Sequence, residues 1–203
     1  MKTSTIVFLL LLMGKVEAQS LPLHIGDSLY AQGNFTKAIE KYSEVESQTN
    51  VYHKIANAYK ALGNYDNSLL YYQKSIDSHP DNALVNYKFA KLLILTKNFI
   101  QASGIFKNLI SIDNENPNYH YQLGLVLEHL KDSTAQINFN NAFLLDRTHQ
   151  KAIYKIAKFH LIKRKHKIAD RYTDIGLESF ANNKQLINIK AQNFFLQRKY
   201  KDA

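Results

Sequence analysis

The chain has 203 residues, 45% hydrophobic and 21% charged, and its 26 Lys and Arg against 17 Asp and Glu give a formal charge of +9. It contains no Cys, which excludes disulfides, thiolate metal ligands and a Cys nucleophile, and its apolar fraction excludes wholesale disorder. Seven Gly and three Pro are few for a turn-rich β fold, so the composition favours helices.

The amino terminus has the pattern of a secretory signal. Lys2 precedes an unbroken apolar run over residues 6–13, and the small residue Ala18 stands where a signal peptidase would cleave. A transmembrane anchor is the alternative, but spanning a bilayer takes about 20 apolar residues, and Lys15 interrupts the run early. We predict a signal peptide over residues 1–18, cleaved after Ala18, and a mature chain of charge +8 without a transmembrane segment.

Small residues recur along the rest of the chain in two columns of nearly equal spacing. The first column has intervals of 30, 34, 34, 33 and 34 residues, and the second has intervals of 30, 34, 33, 34 and 34. The columns are Gly26, Ala56, Ala90, Gly124, Ala157 and Ala191, then Ala38, Ser68, Ala102, Ala135, Ala169 and Ala203, followed by aromatic residues at Tyr42, Tyr72, Phe106 and Phe139. An ordinary helical bundle would not hold such a period, so the columns indicate internal repeats.

Each unit has the pattern of a helix, a tight turn and a second helix. In the second unit Tyr52, Ile55 and Tyr59 are spaced as one helix face, and Gly63 and Asn64 favour the left-handed conformation that ends helices. The small columns have a mechanical reason, because a small residue on one helix lets an aromatic ring of the other enter where the two cross. Such short helices are marginal alone, so the pairs must stack.

These patterns predict an all-α fold, a right-handed superhelical solenoid of antiparallel helix pairs. The predicted segments are a signal peptide 1–18, a short first repeat 19–48, repeats 49–82, 83–116, 117–149 and 150–183, and a partial sixth repeat 184–203. In the last segment we predict a helix over residues 185–197, a turn at Arg198 and Lys199, and the start of a second helix at Tyr200. A lone capping helix is the alternative, but the regular entry into a further repeat leads us to expect that the encoding gene continues past Ala203.

The second unit carries most of a known repeat pattern. Its matching positions are Tyr52, Ile55, Ala56, Tyr59, Gly63, Tyr65, Ser68, Tyr72, Ser75 and Pro80. By these residues the chain resembles tetratricopeptide-repeat proteins over nearly all of residues 20–203. The family's Trp is replaced in successive units by Tyr52, Asn86, His120 and Ile153. We expect the fifth unit to be the least stable, because Gly176 stands inside its second helix and Gly costs about 1 kcal/mol there relative to Ala.

The resemblance implies a concave groove lined by the first helix of each unit. The groove residues would be His53, Asn57, Lys60, Tyr87, Lys91, Ile94, Tyr121, Leu125, Glu128, Tyr154, Lys158 and Leu161. Tyr87, Tyr121 and Tyr154 would form an aromatic ladder suited to an extended peptide, with local packing of these rings as the alternative. The carboxylate clamp of some chaperone-binding members is absent, because His53, Asn57, Lys88, Asn118 and Gln122 fill its places.

Catalytic and metal-binding patterns are missing from the sequence. None of the eight His is paired at helical spacing with a carboxylate base, and the sequence has no Gly-rich phosphate loop and no nucleophile elbow. We therefore predict no enzyme activity, no cofactor and no metal.

The fifth unit is strongly basic. Lys163, Arg164, Lys165 and Lys167 fall in a predicted inter-helix turn, where a solvated turn is one interpretation and docking to an anionic component of the envelope is the other. Nucleic acid is not expected, because the export signal argues against it.

Two functions follow from these expectations. The first is a non-catalytic scaffold for protein–protein interaction, located in the bacterial periplasm or cell envelope or secreted, that binds a protein or peptide in the groove. The alternative is the amino-terminal sensor or interaction arm of a longer envelope signalling protein.

Overall fold

The computed structural model describes residues 21–199, and the predicted signal peptide and Tyr200–Ala203 lie outside the described residues. Residues 21–199 are helical with no β-strand, which confirms the all-α class with antiparallel helix pairs. They form two compact units, each larger than a single repeat. The first unit ends at Thr96 and the second unit begins at Lys97. None of the helices in the described part is long and apolar enough to cross a bilayer.

The first unit consists of stacked helices joined by short turns. Its helices are α1 over residues 21–31, α2 over Phe35–Ser43, α3 over Tyr52–Ala61, α4 over Tyr65–Ser78 and α5 over Ala83–Leu95, with a 3-10 turn at Gln48–Asn50. Along the chain α2 packs on α3, α3 on α4, and α4 on α5. The first repeat is short because α2 has nine residues where α4 has 14.

The second unit continues with the same element pattern. Its helices are α6 over Phe99–Ile112, α7 over Pro117–His129, α8 over Ala135–Leu145, α9 over Gln150–Ile162, α10 over His166–Ser179 and α11 over Lys184–Lys199. Each helix packs on the next, and α11 also contacts α9. The predicted turn at Arg198 and Lys199 is wrong, because α11 runs through both residues.

The small and aromatic columns meet as the sequence predicts. A Cβ atom added to Gly26 would lie 2.6 Å from Cε1 of Tyr42, and one added to Gly124 would lie 2.7 Å from Cε1 of Phe139. Both rings are buried at 2% exposure. The pairing of a small residue with an aromatic ring is therefore confirmed at these two helix crossings.

Gly176 corrects one expectation from the sequence. A Cβ atom at this position would collide with the Leu186 side chain of α11 and approach Cγ2 of Ile153 in α9 to 3.0 Å. The glycine therefore lets three helices approach closely, so the full cost relative to Ala does not carry over to this site, and the low stability of the fifth repeat stays a prediction.

Polar residues begin the first helix of several repeats. The side chains of Asn82, Asn116, His149 and Asn183 accept hydrogen bonds from the backbone amides of Val85, Asn118, Ala152 and Leu186, respectively. These caps satisfy amides that have no partner within the helix. They recur at intervals of 34, 33 and 34 residues, so the caps form a third, polar column beside the small and aromatic ones.

Two polar residues at the family's Trp position, one on α5 and one on α7, make a hydrogen bond to the turn that precedes their own helix. Asn86 donates to the carbonyl of Pro80 at 2.7 Å, and Nε2 of His120 lies 3.1 Å from the carbonyl oxygen of Asn114. Each contact reaches back six residues, so a buried polar side chain replaces ring packing with a hydrogen bond to the inter-repeat turn.

Candidate functional site

The first unit brings together five of the predicted groove residues on two helices. His53, Asn57 and Lys60 stand on α3, where their spacing places them on one face, while Tyr87 and Lys91 stand on α5. All but the exposed Lys91 are half-buried. The Lys91 ammonium lies 5.6 Å from the centroid of the Tyr87 ring, a cation–π distance.

Beside these residues lies a cavity of about 220 Å³. Residues of α1, α2, α3 and α5 line it: Asp27, Tyr30, Tyr42, His53, Lys54, Asn57, Leu84 and Lys88. The lining combines rings, an aliphatic side chain and charged groups, the mixture that suits one side chain of a bound peptide.

A hydrogen-bonded group holds one wall of this cavity. The Tyr42 hydroxyl donates to Oδ1 of Asp27 at 2.8 Å, and the Lys54 ammonium pairs with the same oxygen at 2.7 Å. Burial alone would raise the pKa of Asp27, but the bonds from Lys54 and Tyr42 outweigh it and hold the pKa below its usual value of 3.8. Asp27 and Lys54 have no signature in the sequence, because their partners come from other helices.

Asn57 is part of a similar contact one repeat later. The Tyr72 hydroxyl donates to Oδ1 of Asn57 at 2.6 Å, so this amide oxygen is engaged by the protein. The amide nitrogen of Asn57 is the group that remains to donate to a ligand.

Three lysines form a positive cluster on the same helices, here called the lysine cluster: Lys60, Lys88 and Lys91. Burial, and then the charges of Lys91 and Lys88, hold the pKa of Lys60 below 10.5. Burial likewise lowers the pKa of His53, with the charges of Lys54 and Lys88 adding to the effect. The charges of Lys88 and Lys91 thus act on Lys60, and a carboxylate placed among the three would be attracted.

The second unit places its predicted groove residues differently. Tyr121 is 8% exposed, and its ring packs against Phe139 at 5.8 Å and against His149 at 5.0 Å between ring centres. Leu161 is also buried, as part of a core cluster with Ala157. Local packing, the alternative open at the sequence level, therefore describes Tyr121.

Tyr154 and Lys158 remain accessible in the second unit. Tyr154 is half-buried, and the Lys158 ammonium lies 5.8 Å from the centroid of its ring. This arrangement repeats that of Tyr87 and Lys91, which are likewise four residues apart on the first helix of a repeat.

A second cavity, of about 300 Å³, lies beside Lys158. Its lining includes the turn residues Lys131, Asp132 and Ser133, the rings of Phe139 and Phe159, and the side chains of Glu128, Lys155 and Ile162. Glu128 and Lys155 form an ion pair across α7 and α9, which joins the first helices of two neighbouring repeats. The cavity thus has an aromatic floor and a charged rim.

The predicted basic turn is exposed. Lys163, Arg164 and Lys165 are exposed between α9 and α10, whereas Lys167 is exposed in the first turn of α10 and not in the inter-helix turn where the sequence placed it. In residues 21–199 no three His, Asp or Glu side chains converge in a way that could hold a metal ion.

Stacked helix pairs with small-to-aromatic contacts define a helical-repeat protein, and comparison with known proteins identifies the repeat. The tetratricopeptide-repeat family model matches residues 49–82. Residues 49–82 thus form a tetratricopeptide repeat, and the fold of the chain is in general a scaffold for protein–protein interaction.

Two curated relatives match parts of the chain. Superkiller complex protein 3 of Homo sapiens is 34% identical over 95 residues, which cover 44% of this chain and 6% of that protein. The TPR repeat-containing protein YpiA of Bacillus subtilis is 29% identical over 75 residues, which cover 34% of this chain and 18% of that protein. The chain therefore spans less than a fifth of the length of either relative.

Solved structures share the fold at low identity. A tetratricopeptide repeat protein from Parabacteroides merdae superposes with a TM-score of 0.77 at 14% identity, covering 90% of this chain and 75% of that one. YrrB, described as a TPR protein with an unusual peptide-binding site, superposes with a TM-score of 0.68 at 15% identity, covering 84% and 90% of the two chains.

Proposed function

We propose that the protein is a non-catalytic interaction scaffold that binds an extended, acidic peptide segment across α3 and α5. The lysine cluster is the observation that carries this proposal. Lys60 is half-buried with two ammonium groups close enough to lower its pKa, so a carboxylate from a partner would relieve their mutual repulsion. Asp27 lines the neighbouring cavity, but its carboxylate is already paired with Lys54.

The surroundings of the lysine cluster favour a peptide over a free anion. The cavity of about 220 Å³ beside it can take one side chain, and the half-buried Tyr87 ring stands on the same helix as Lys88 and Lys91. The amide nitrogen of Asn57 can donate to a backbone carbonyl of an extended segment. That YrrB has a peptide-binding site in the same fold is consistent with this proposal.

Peptide selection tests the proposal directly. A phage-displayed library of random linear peptides is selected on the protein, and the enriched peptides are measured by calorimetry beside versions with Asp and Glu changed to Asn and Gln. We expect acidic peptides to be enriched and to lose at least tenfold in affinity in the neutral versions and in the variant K60Q/K88Q/K91Q. The control K74Q/K151Q/K184Q removes the same charge elsewhere and should bind normally, while enrichment of neutral peptides would contradict the proposal.

We also propose that the chain is exported to the bacterial envelope. The support is the signal-like sequence over residues 1–18, with its Lys2, apolar run and Ala18. The test is mass spectrometry of the protein from a periplasmic fraction, which should give an amino terminus at Gln19. A protein that retains Met1 in the cytoplasm would exclude export.

At the basic turn we infer contact with an anionic component of that envelope. Lys163, Arg164, Lys165 and Lys167 are exposed, and like charges held together at a turn create a positive potential that attracts polyanions.

A further inference from the structure

Five turns inside the repeats place one residue each in the left-handed backbone region. The φ angles are 80° at Gly33, 74° at Gly63, 65° at Lys97, 58° at Lys131 and 55° at Arg164. Glycine adopts this conformation without steric cost, whereas a residue with a Cβ atom adopts it only at a steric cost. The two turns of the first unit follow this rule, and the three turns of the second unit carry a cation instead.

The three cationic turns lie side by side along one edge of the second unit. The Phe99 ring, at the start of α6, stacks on the His129 ring at the end of α7 with 4.5 Å between centres, which brings the turn of Lys97 beside that of Lys131. Lys131 and Ile162 line the same cavity, and Ile162 ends α9 two residues before Arg164, so the turn of Arg164 lies beside that of Lys131.

We call this surface the basic edge and define it as Lys97, Lys131, Lys163, Arg164, Lys165 and Lys167. All six side chains are exposed. Asp132 stands in the middle turn, but its Oδ1 accepts hydrogen bonds from the amide and the hydroxyl of Thr134, so it caps its own turn. Its carboxylate keeps its charge, so six cations stand against one anion and the edge has a positive excess.

Apolar side chains are exposed between these cations. Ile100 is 81% exposed, Ile162 68%, and Leu130 40%, and each stands within three residues of a left-handed cation. Neither nucleic acid nor an acidic polysaccharide offers an apolar layer for such side chains, whereas a lipid bilayer offers both anionic headgroups and an acyl boundary.

We propose that the basic edge docks on an anionic phospholipid bilayer, with its cations against headgroup phosphates and with Ile100, Leu130 and Ile162 at the acyl boundary. This inference deepens the anionic contact proposed for the basic turn, because it extends the surface over three turns and names the partner. It does not depend on peptide binding at the lysine cluster.

Co-sedimentation with vesicles tests the proposal, using the chain from Gln19 onward. The probe is a vesicle of about 30% phosphatidylglycerol in phosphatidylcholine, beside pure phosphatidylcholine. We expect binding to the anionic vesicles alone, and a loss of binding as salt is raised. The variant K97G/K131G/R164G places glycine where glycine is preferred, so it removes three charges without harming the fold. Its partition coefficient should fall about 100-fold, whereas K74Q/K151Q/K184Q, which removes three exposed charges elsewhere, should stay within threefold of the parent.

A second comparison separates a bilayer from other polyanions. Ile162→Ser should weaken vesicle binding about fivefold and leave retention on heparin unchanged, because heparin has no apolar layer. Equal losses for the glycine variant and the control would overturn the proposal, as would heparin binding with no binding to anionic vesicles. Neither result would affect peptide selection at the lysine cluster, so the two proposals fail independently.

Discussion

The Tyr42 hydroxyl donates a 2.8 Å hydrogen bond to Asp27, across the crossing of α1 and α2. One repeat later Tyr72 makes the same bond to Asn57 at 2.6 Å. In the next two repeats the aromatic column holds Phe106 and Phe139, which have no hydroxyl. The positions equivalent to Asp27 and Asn57 are then Lys91 and Leu125, whose side chains have no acceptor. A ring hydroxyl and its acceptor are therefore present or absent together, because a buried hydroxyl without a partner is costly.

This pairing predicts the cost of removing one hydroxyl. Tyr72→Phe leaves the buried ring in place but removes the bond to Asn57, so the free energy of unfolding should fall by about 1 kcal/mol. Urea denaturation measures the change, with Asn57→Ala and the double variant completing a cycle. The two single losses should not add, and full additivity would show that the bond contributes nothing.

The glycines predict opposite effects of the same substitution. Gly124→Ala should lower the free energy of unfolding by about 1–3 kcal/mol, because the new Cβ collides with the buried Phe139 ring. A Cβ atom added to Gly104 in α6 would have no neighbouring atom within 4 Å. Gly104→Ala should therefore raise the free energy of unfolding by about 1 kcal/mol. Thermal unfolding of the two variants checks the signs, and equal signs would contradict the packing described here.

The left-handed turns predict a stabilising glycine. Lys131→Gly should raise the free energy of unfolding by about 1 kcal/mol, because it relieves the Cβ contact of the left-handed conformation. Gly63→Ala should lower it by a similar amount in the matching turn. Chemical denaturation of both variants tests the pair, and destabilisation by Lys131→Gly would mean that the lysine side chain stabilises its turn.

Three histidines predict a loss of stability in mild acid. Burial holds the pKa values of His53, His149 and His160 below 6.5, aided by Lys54 and Lys88 at His53 and by Lys165 at His160. The unfolded chain therefore binds more protons than the folded chain just below pH 6.5, so stability is complete above that pH and falls as the pH drops through the folded values. Urea midpoints across this range measure the effect.

His149 provides the control for this pH dependence. Its Nδ1 accepts the capping bond from Ala152 and must stay unprotonated to do so. Asparagine serves as the cap at Asn82 and Asn116. His149→Asn should therefore keep the neutral-pH stability and reduce the acid loss, and an unchanged pH profile would exclude His149 as a contributor.

We expect a separate loss of stability at lower pH, caused by protonation of Asp27. Because the bonds from Lys54 and Tyr42 hold its folded pKa below 3.8, its contribution is complete above pH 3.8 and is lost as the pH falls through the folded value. Asp27→Asn should remove that acid step, which chemical denaturation between pH 5 and about pH 2.5 would detect. The side chain is 44% exposed, so the effect should be modest.

Local pattern predicted the helix pairs because each pair depends on contacts within one repeat. The small residue, the aromatic ring and the turn residue all lie within about 20 residues of each other, so their spacing is visible in the chain. Contacts between repeats are not visible in this way: Gly176 suits its site because Leu186 of the next repeat presses against it.

Sequence alone therefore determined the all-α class, the repeat period and the family resemblance, since these follow from side-chain size at regular intervals. Tertiary structure decided which residues of a predicted surface are accessible. Tyr121 is buried by Phe139 and His149, while Tyr154 stays half-exposed in the equivalent column. It also decided that Lys97, Lys131 and Arg164 form one edge, because residues far apart in the chain share a surface only once the helices stack.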